Sequence, residues 1–161
     1  PMKQFTDNAE RTWTVEVNVA AIKRVKSLLD VNLLEALEGD LLDELAHDMV
    51  LLCDVIYALC KPEADAIGIT DEQFGQAMAG DAIDFATTAL LEELVEFFPL
   101  AKRRVLTKAL AKMRNVDAKA IAYAEAKLDD PELDRKIDDA LTALSDSATS
   151  SPDDSGSPPT G

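Results

Sequence analysis

The sequence predicts a mostly α fold: a compact helical bundle with one short N-terminal β-strand, a long C-terminal helical hairpin and a disordered acidic tail. Two observations predict this fold. Apolar residues make up 47% of the 161 residues, and through most of the chain they recur at the spacing of amphipathic helices. Only residues 11–18 alternate apolar and polar side chains, which is typical of a strand.

The domain boundaries follow from where these patterns begin and end. The last residues are mainly Ser, Pro, Gly and Asp, which bury too little apolar surface to fold. The predicted segments are a flexible N-terminus (1–10), a helical domain with its N-terminal strand (11–128), a C-terminal helix (129–147) that packs on 100–128, and a disordered tail (148–161).

The strand over residues 11–18 needs a mate, because a single strand leaves its backbone groups unpaired. Three mates stay open at this point. They are a second copy of the chain, an undetected segment such as residues 3–6, and another protein.

Several helices are marked by their first residues. Asp48 and Thr70 each precede an apolar run and are typical N-cap residues. Thr70 has Gln73 three positions later, which completes a capping box. The helix after Asp48 is apolar nearly all round, which predicts a central position in the bundle. Pro62 is predicted in the first turn of a new helix, and Pro99 is predicted to separate two helices.

The composition limits the classes of partner. The chain has 31 acidic and 16 basic residues and a formal charge of -15, which argues against nucleic acid and against an anionic membrane surface. The sequence has no uninterrupted run of about 18 apolar residues, so no membrane span is predicted. Cys53 and Cys60 are seven residues apart in a helical pattern, too far for a disulfide, and are predicted to be small buried side chains. We therefore expect a cytoplasmic protein.

No catalytic, cofactor-binding or metal-binding residues are predicted, so the chain is not expected to be an enzyme. The spacing Glu44-x-x-His47 occurs once, whereas a di-iron bundle needs two such motifs. A chain with one His offers no visible base for a nucleophile. Glu92, Glu93 and Glu96 are interpreted as a solvated helix face.

The charge distribution and the apolar helix ends give candidates for partner binding. Residues 27–101 hold 17 acids and one base, whereas residues 102–119 hold seven bases and one acid, four of the bases within about 80° around a helix. This basic stripe is either a solvated face or a docking face for an acidic partner. Two adjacent Phe residues end the preceding helix, either in the core or beside a groove for a partner helix. The candidate partner-binding residues are Trp13, Val15 and Val17 of the strand, Phe97 and Phe98, and Arg104, Lys108 and Lys112 of the stripe.

The order of these pieces resembles the small tail assembly chaperones of long-tailed phages and prophages. The resemblance covers roughly residues 5–115. The matching segments are Trp13-Thr14-Val15-Glu16-Val17, Ile22-Lys23-Arg24-Val25, Asn32-Leu33-Leu34, Leu51-Leu52-Cys53-Asp54-Val55-Ile56-Tyr57, Gly68-Ile69-Thr70-Asp71-Glu72-Gln73-Phe74 and Phe97-Phe98-Pro99.

The resemblance implies a non-enzymatic role. Such proteins bind the long, helical, apolar tape measure protein, keep it soluble and help tail-tube subunits to polymerise around it. The implied partners are thus a tape measure-like helical protein and tail-tube subunits, with a homo-oligomer left open, and the implied location of a phage-encoded chain is the host cytoplasm. A cytoplasmic acidic helical adaptor or regulatory scaffold is the alternative, because any such adaptor has a similar composition.

Overall fold

The computed structural model describes residues 2–149, 156 and 159–161. Within this part of the chain the mostly α prediction is confirmed. The elements are β1 (Lys3–Thr6), β2 (Thr12–Val15), α1 (Val19–Leu29), a 3-10 helix (Leu33–Leu37), α2 (Leu41–His47), α3 (Met49–Ile67), α4 (Asp71–Gln76), α5 (Asp81–Phe97), α6 (Leu100–Leu128) and α7 (Pro131–Thr149).

The N-terminal sheet corrects two predictions. β1 pairs antiparallel with β2, with Phe5 opposite Trp13, so the described part of the chain has two short strands and not one. The predicted flexible N-terminus was therefore wrong over Lys3–Thr6, and this segment is the mate of the Trp13 strand. β1 has only one apolar residue in four, so its strand character comes from pairing with β2 and from burial of Phe5, and alternation did not reveal it.

The helix starts follow the predicted caps. The Asp48 carboxylate accepts hydrogen bonds from the backbone N–H groups of Val50 and Leu51 at the start of α3. Thr70 and Gln73 form the reciprocal capping box at the start of α4. Local side chain to backbone bonds of this kind depend on short-range sequence, so they were predictable.

Pro62 does not begin a helix as predicted, because α3 runs through it to Ile67. A proline inside a helix cannot donate to the carbonyl four residues earlier, here Ala58. The Arg24 side chain of α1 supplies the missing donor. Its Nη1 lies 3.1 Å from the carbonyl oxygens of both Ala58 and Leu59. A tertiary hydrogen bond therefore lets the helix continue where local rules favour a break.

The chain divides into two units, residues 1–111 and 112–161. In the first unit α3 is central, as predicted, and contacts α1, α2, α4, α5 and β2. β1 lies mainly against α5. The first part of α6 belongs to the same unit, and its side chains Leu106 and Leu110 are buried there.

The second unit contains the rest of α6 and the whole of α7. From Lys112 to Ala148 the described side chains are exposed, apart from the half-buried Met113 and Leu133. The two helices form as predicted, but the structure does not show the apolar stripe of α7 covered by α6, and that packing stays a prediction. α7 continues to Thr149, two residues into the predicted disordered tail, and most of that tail lies outside the described residues.

Candidate functional site

Most of the apolar candidates for partner binding belong to the core. Trp13, Val15, Val17 and Phe98 are all buried, while Phe97 is half-buried and packs edge-to-face on Phe98 at 5.3 Å between ring centroids. A partner does not reach the four buried side chains in this structure. The alternation in the strand and the adjacent Phe residues show that a face is apolar. These patterns do not show whether that face lies in the core or binds a partner.

The basic candidates are on the surface. Arg104, Lys108 and Lys112 are exposed on α6, and none of them forms an ion pair with another described residue. Their neighbour Arg103 turns inward and donates to the carbonyl oxygens of Glu96 at 2.9 Å and Phe98 at 3.4 Å. Arg103 therefore fixes the corner around Pro99, a role that the charge pattern did not distinguish from the stripe.

Trp13 is the centre of a polar and aromatic cluster under the β1–β2 turn. Its indole N–H donates to Asp7 at 2.8 Å, and its ring packs edge-to-face on Phe74 at 5.1 Å between centroids. Asp7 is buried and also accepts from the side chain of Arg11 at 2.9 Å and from two backbone N–H groups of the turn. Burial raises the pKa of Asp7, but the bonds from Trp13, Arg11 and Ala9 outweigh it, so the pKa is lowered overall. The cluster is structural, and sequence reasoning missed Asp7 and Arg11.

The interpretation of Glu92, Glu93 and Glu96 as one solvated face was wrong for Glu93, which is only 3% exposed. Its Oε2 accepts from the backbone N–H of Val17 at 3.3 Å, and its Oε1 has no partner among the described residues. Lys3 lies 3.4 Å from Glu92 and 3.8 Å from Glu96. Burial raises the pKa of Glu93, the Val17 N–H lowers it in part, and the nearby Glu96 charge adds to the rise.

We expect Glu93→Gln to stabilise the protein at neutral pH by about 1 kcal/mol or more, because the amide oxygen can still accept from Val17 while the buried negative charge beside Glu96 is removed. Because the folded-state pKa is raised, the charged form destabilises the fold above that pKa. This penalty disappears as the pH falls through the folded-state pKa to below the unfolded value of 4.5. Urea unfolding at about pH 7 and about pH 4 measures the difference. The exposed Glu92→Gln is the control, and a pH-independent Glu93→Gln effect contradicts the expectation.

The residues that most often carry chemistry show no site in the described part of the chain. Burial raises the pKa of Cys60 to about 12, so its thiol is a poor nucleophile at neutral pH. Cys60 is buried as predicted, whereas Cys53 is half-buried. His47 is exposed and lies 2.8 Å from the carbonyl oxygen of Asp43 in its own helix. Among the described residues no cluster of three His, Cys, Asp or Glu side chains is placed to hold a metal, and no helix is long and apolar enough to cross a membrane.

The second unit carries a series of large apolar side chains that no described residue covers. Leu141 is 58% exposed and Leu144 is 67% exposed on α7. Together with Leu133 and Ile137 they follow the three- and four-residue spacing of a helix-packing seam. We call residues 112–149 the apolar arm. Besides the four α7 side chains, it exposes four apolar side chains of α6: Val116, Ile121, Tyr123 and Leu128.

Comparison with known proteins found no matching family model, no matching curated protein and no matching solved structure. Two surfaces of this chain are candidates for partner binding: the apolar arm and the basic stripe on α6.

Proposed function

We propose that this chain is a non-enzymatic binding protein similar to a phage tail assembly chaperone, which holds a helical, apolar tape measure-like protein soluble and promotes tail-tube assembly around it. The exposed seam of the apolar arm carries the proposal. Exposed apolar patches of this kind mark interaction surfaces. A seam of helical period favours a helical partner, because ridges and grooves of two helices interdigitate.

The lack of buried side chains on α7 favours a partner that packs on this helix. None of its described side chains is buried, and most helical stability in proteins comes from packing an apolar face. A partner helix on Leu141 and Leu144 supplies that packing. The net negative charge of the chain keeps such a complex from self-association, which suits a protein that holds an apolar client.

The test is co-expression of the full chain with a tape measure-like protein from the same genome. We expect the wild-type chain to increase the soluble fraction of that protein and to co-purify with it. The double variant Leu141→Asp/Leu144→Asp should weaken the complex by about 100-fold or more, because each buried Leu contributes about 1.5–3 kcal/mol.

Thr142→Asp is the matched control, since it adds a charge to the opposite side of the same helix. Both variants should keep the wild-type thermal unfolding of the first unit, because the substituted side chains are exposed. The proposal fails if the wild-type chain leaves the tape measure-like protein insoluble. It also fails if the double variant binds as tightly as Thr142→Asp.

The alternative is an acidic helical adaptor that captures an acidic partner through Arg104, Lys108 and Lys112. Its support is that these three side chains are exposed and have no carboxylate partner among the described residues. The same double variant separates the two functions. An adaptor that binds through the stripe keeps its affinity when Leu141 and Leu144 are replaced.

A further inference from the structure

The two-stranded sheet has two outer edges, and their backbone groups differ in how they are satisfied. On β2 the N–H of Thr14 donates to Glu63 of α3 at 3.0 Å, and the thiol of Cys60 lies 3.6 Å from the Thr14 carbonyl oxygen. These side chains close the outer edge of β2 at Thr14. They also show that the backbone groups of Thr14 point away from β1.

The antiparallel register then determines the direction of the groups on β1. Gln4 is opposite Thr14 and Thr6 is opposite Thr12. Residues opposite each other in antiparallel strands both point inward or both point outward, and the two kinds of pair alternate along the ladder. The N–H and C=O groups of Gln4 and Thr6 therefore point to the outer edge of β1. Among the described residues neither position has a backbone hydrogen bond to another element.

A groove of about 420 Å³ runs along this open edge. Its wall is β1, and its floor is formed by Phe85, Thr88, Ala89 and Glu92, which share one face of α5. Phe85 is 59% exposed, the largest apolar side chain left uncovered on α5. An unpaired strand edge beside an apolar floor is the arrangement that accepts an added strand.

A second copy of the chain does not fit this edge by antiparallel pairing, in which both α5 helices lie on the same face of the joined sheet. Pairing β1 with β1 of a second copy places the two strands about 4.8 Å apart. The α5 helices packed against them would then lie at a similar separation, whereas packed helices need about 8–10 Å between their axes. The occupant is therefore an extended segment that does not bring its own α5.

Charge narrows the chemistry of that segment. α5 carries five acids and no base. At one end of the groove Lys3 already neutralises Glu92 at 3.4 Å. Asp81 and Asp84 are exposed in the first turn of α5, next to Phe85 in sequence, and no described cation pairs with them. A segment with an apolar centre and a Lys or Arg beyond Phe85 complements this distribution.

We propose that the outer edge of β1 binds an extended segment of a partner protein as a third strand, with apolar side chains on Phe85 and Ala89 and a basic residue toward Asp81 and Asp84. The backbone of the segment pairs with the N–H and C=O groups of Gln4 and Thr6. This surface is separate from the apolar arm and takes an extended segment, not a helix.

A random 12-residue peptide library (about 40 Å when extended) selected on the full chain provides the probe. We expect enrichment of sequences with alternating apolar residues and a terminal Lys or Arg, and measure their affinity by fluorescence anisotropy. Gln4→Pro removes one outward N–H that the hairpin does not use, so it should weaken binding at least about tenfold. Gln4→Ala keeps the N–H and should bind as the wild type does.

Phe85→Asp is the second variant, because it changes an exposed side chain and does not depend on how β1 tolerates a proline. It should also weaken binding about tenfold. Hydrogen exchange gives a direct readout, since the amides of Gln4 and Thr6 should exchange rapidly in the free protein and slowly with peptide bound. The arm variant Leu141→Asp/Leu144→Asp should bind the peptides normally, so failure of the proposed chaperone function leaves this result intact.

Three outcomes overturn the proposal. One is that no peptide is enriched over a bare-surface control. Another is that the enriched peptides bind Phe85→Asp as tightly as the wild type. The third is that the peptides bind as helices or leave the Gln4 and Thr6 amides unprotected.

Discussion

Trp13→Ala should lower the free energy of unfolding by about 3–5 kcal/mol, the usual cost of truncating a buried Trp or Phe side chain. Trp13 is completely buried, packs on Phe74 and donates to Asp7. Its removal leaves a cavity between the sheet and the helices, and it leaves a buried carboxylate with one donor fewer. A domain of about 100 residues should then unfold about 15 °C or more below the wild type.

Circular dichroism melting is the suitable measurement, because the variant has no Trp to follow by fluorescence. Phe85→Ala is the control, since it removes an aromatic side chain that is largely exposed. A loss for Trp13→Ala no larger than for Phe85→Ala would show that the Trp13 cluster does not hold the fold together.

Asp7→Asn should destabilise the protein by about 3 kcal/mol or more at neutral pH, the range for breaking a buried charge pair. The carboxylate accepts from Trp13, Arg11 and two backbone N–H groups. An amide has one oxygen, so its NH₂ group must face either the Trp13 and Arg11 donors or the backbone donors. A neutral amide of the same shape therefore cannot accept all four of the hydrogen bonds that the Asp7 carboxylate accepts.

The effect of Asp7→Asn should also depend on pH. Burial raises the pKa of Asp7, but the bonds to Trp13, Arg11 and Ala9 lower it overall, below the unfolded value of 3.8. The charged form thus stabilises the fold above that value, and this contribution is lost as the pH falls toward the folded-state pKa. The gap between wild type and variant should be constant from about pH 7 to about pH 5 and narrow toward about pH 3. Fluorescence of the single Trp follows unfolding in both proteins, and a gap that widens in acid contradicts this assignment.

The fold was predictable wherever short-range sequence decides the structure. The caps at Asp48 and Thr70 satisfy their own helix ends, so they can be read without knowing the rest of the fold. β1 was named only as one of three possible mates for the Trp13 strand, because its strand conformation depends on a partner six or more residues away. Pro62 was misread because the donor that replaces its missing N–H comes from Arg24 on another helix.

The binding surfaces were less predictable than the fold. Apolar residues at Trp13 and Phe98 have the same sequence signature as exposed ones at Leu141, and only tertiary packing distinguishes them. Glu93 was placed on the surface because Glu is rarely buried without a full set of partners. The basic side chains of Arg104 and Lys108 were located correctly, since long charged residues remain in water unless a partner is present.

The Arg24 side chain replaces the backbone donor that Pro62 lacks, and this hydrogen bond links two steps in the assembly of the first unit. The second half of α3 leaves the Ala58 carbonyl without a local donor, so it gains its full hydrogen bonding only when α1 is docked. Completion of the central helix and docking of the first helix are therefore coupled steps. A chain emerging from the ribosome acquires α1 before α3, so the guanidinium is already available when the proline is synthesised, and the order of synthesis favours correct assembly.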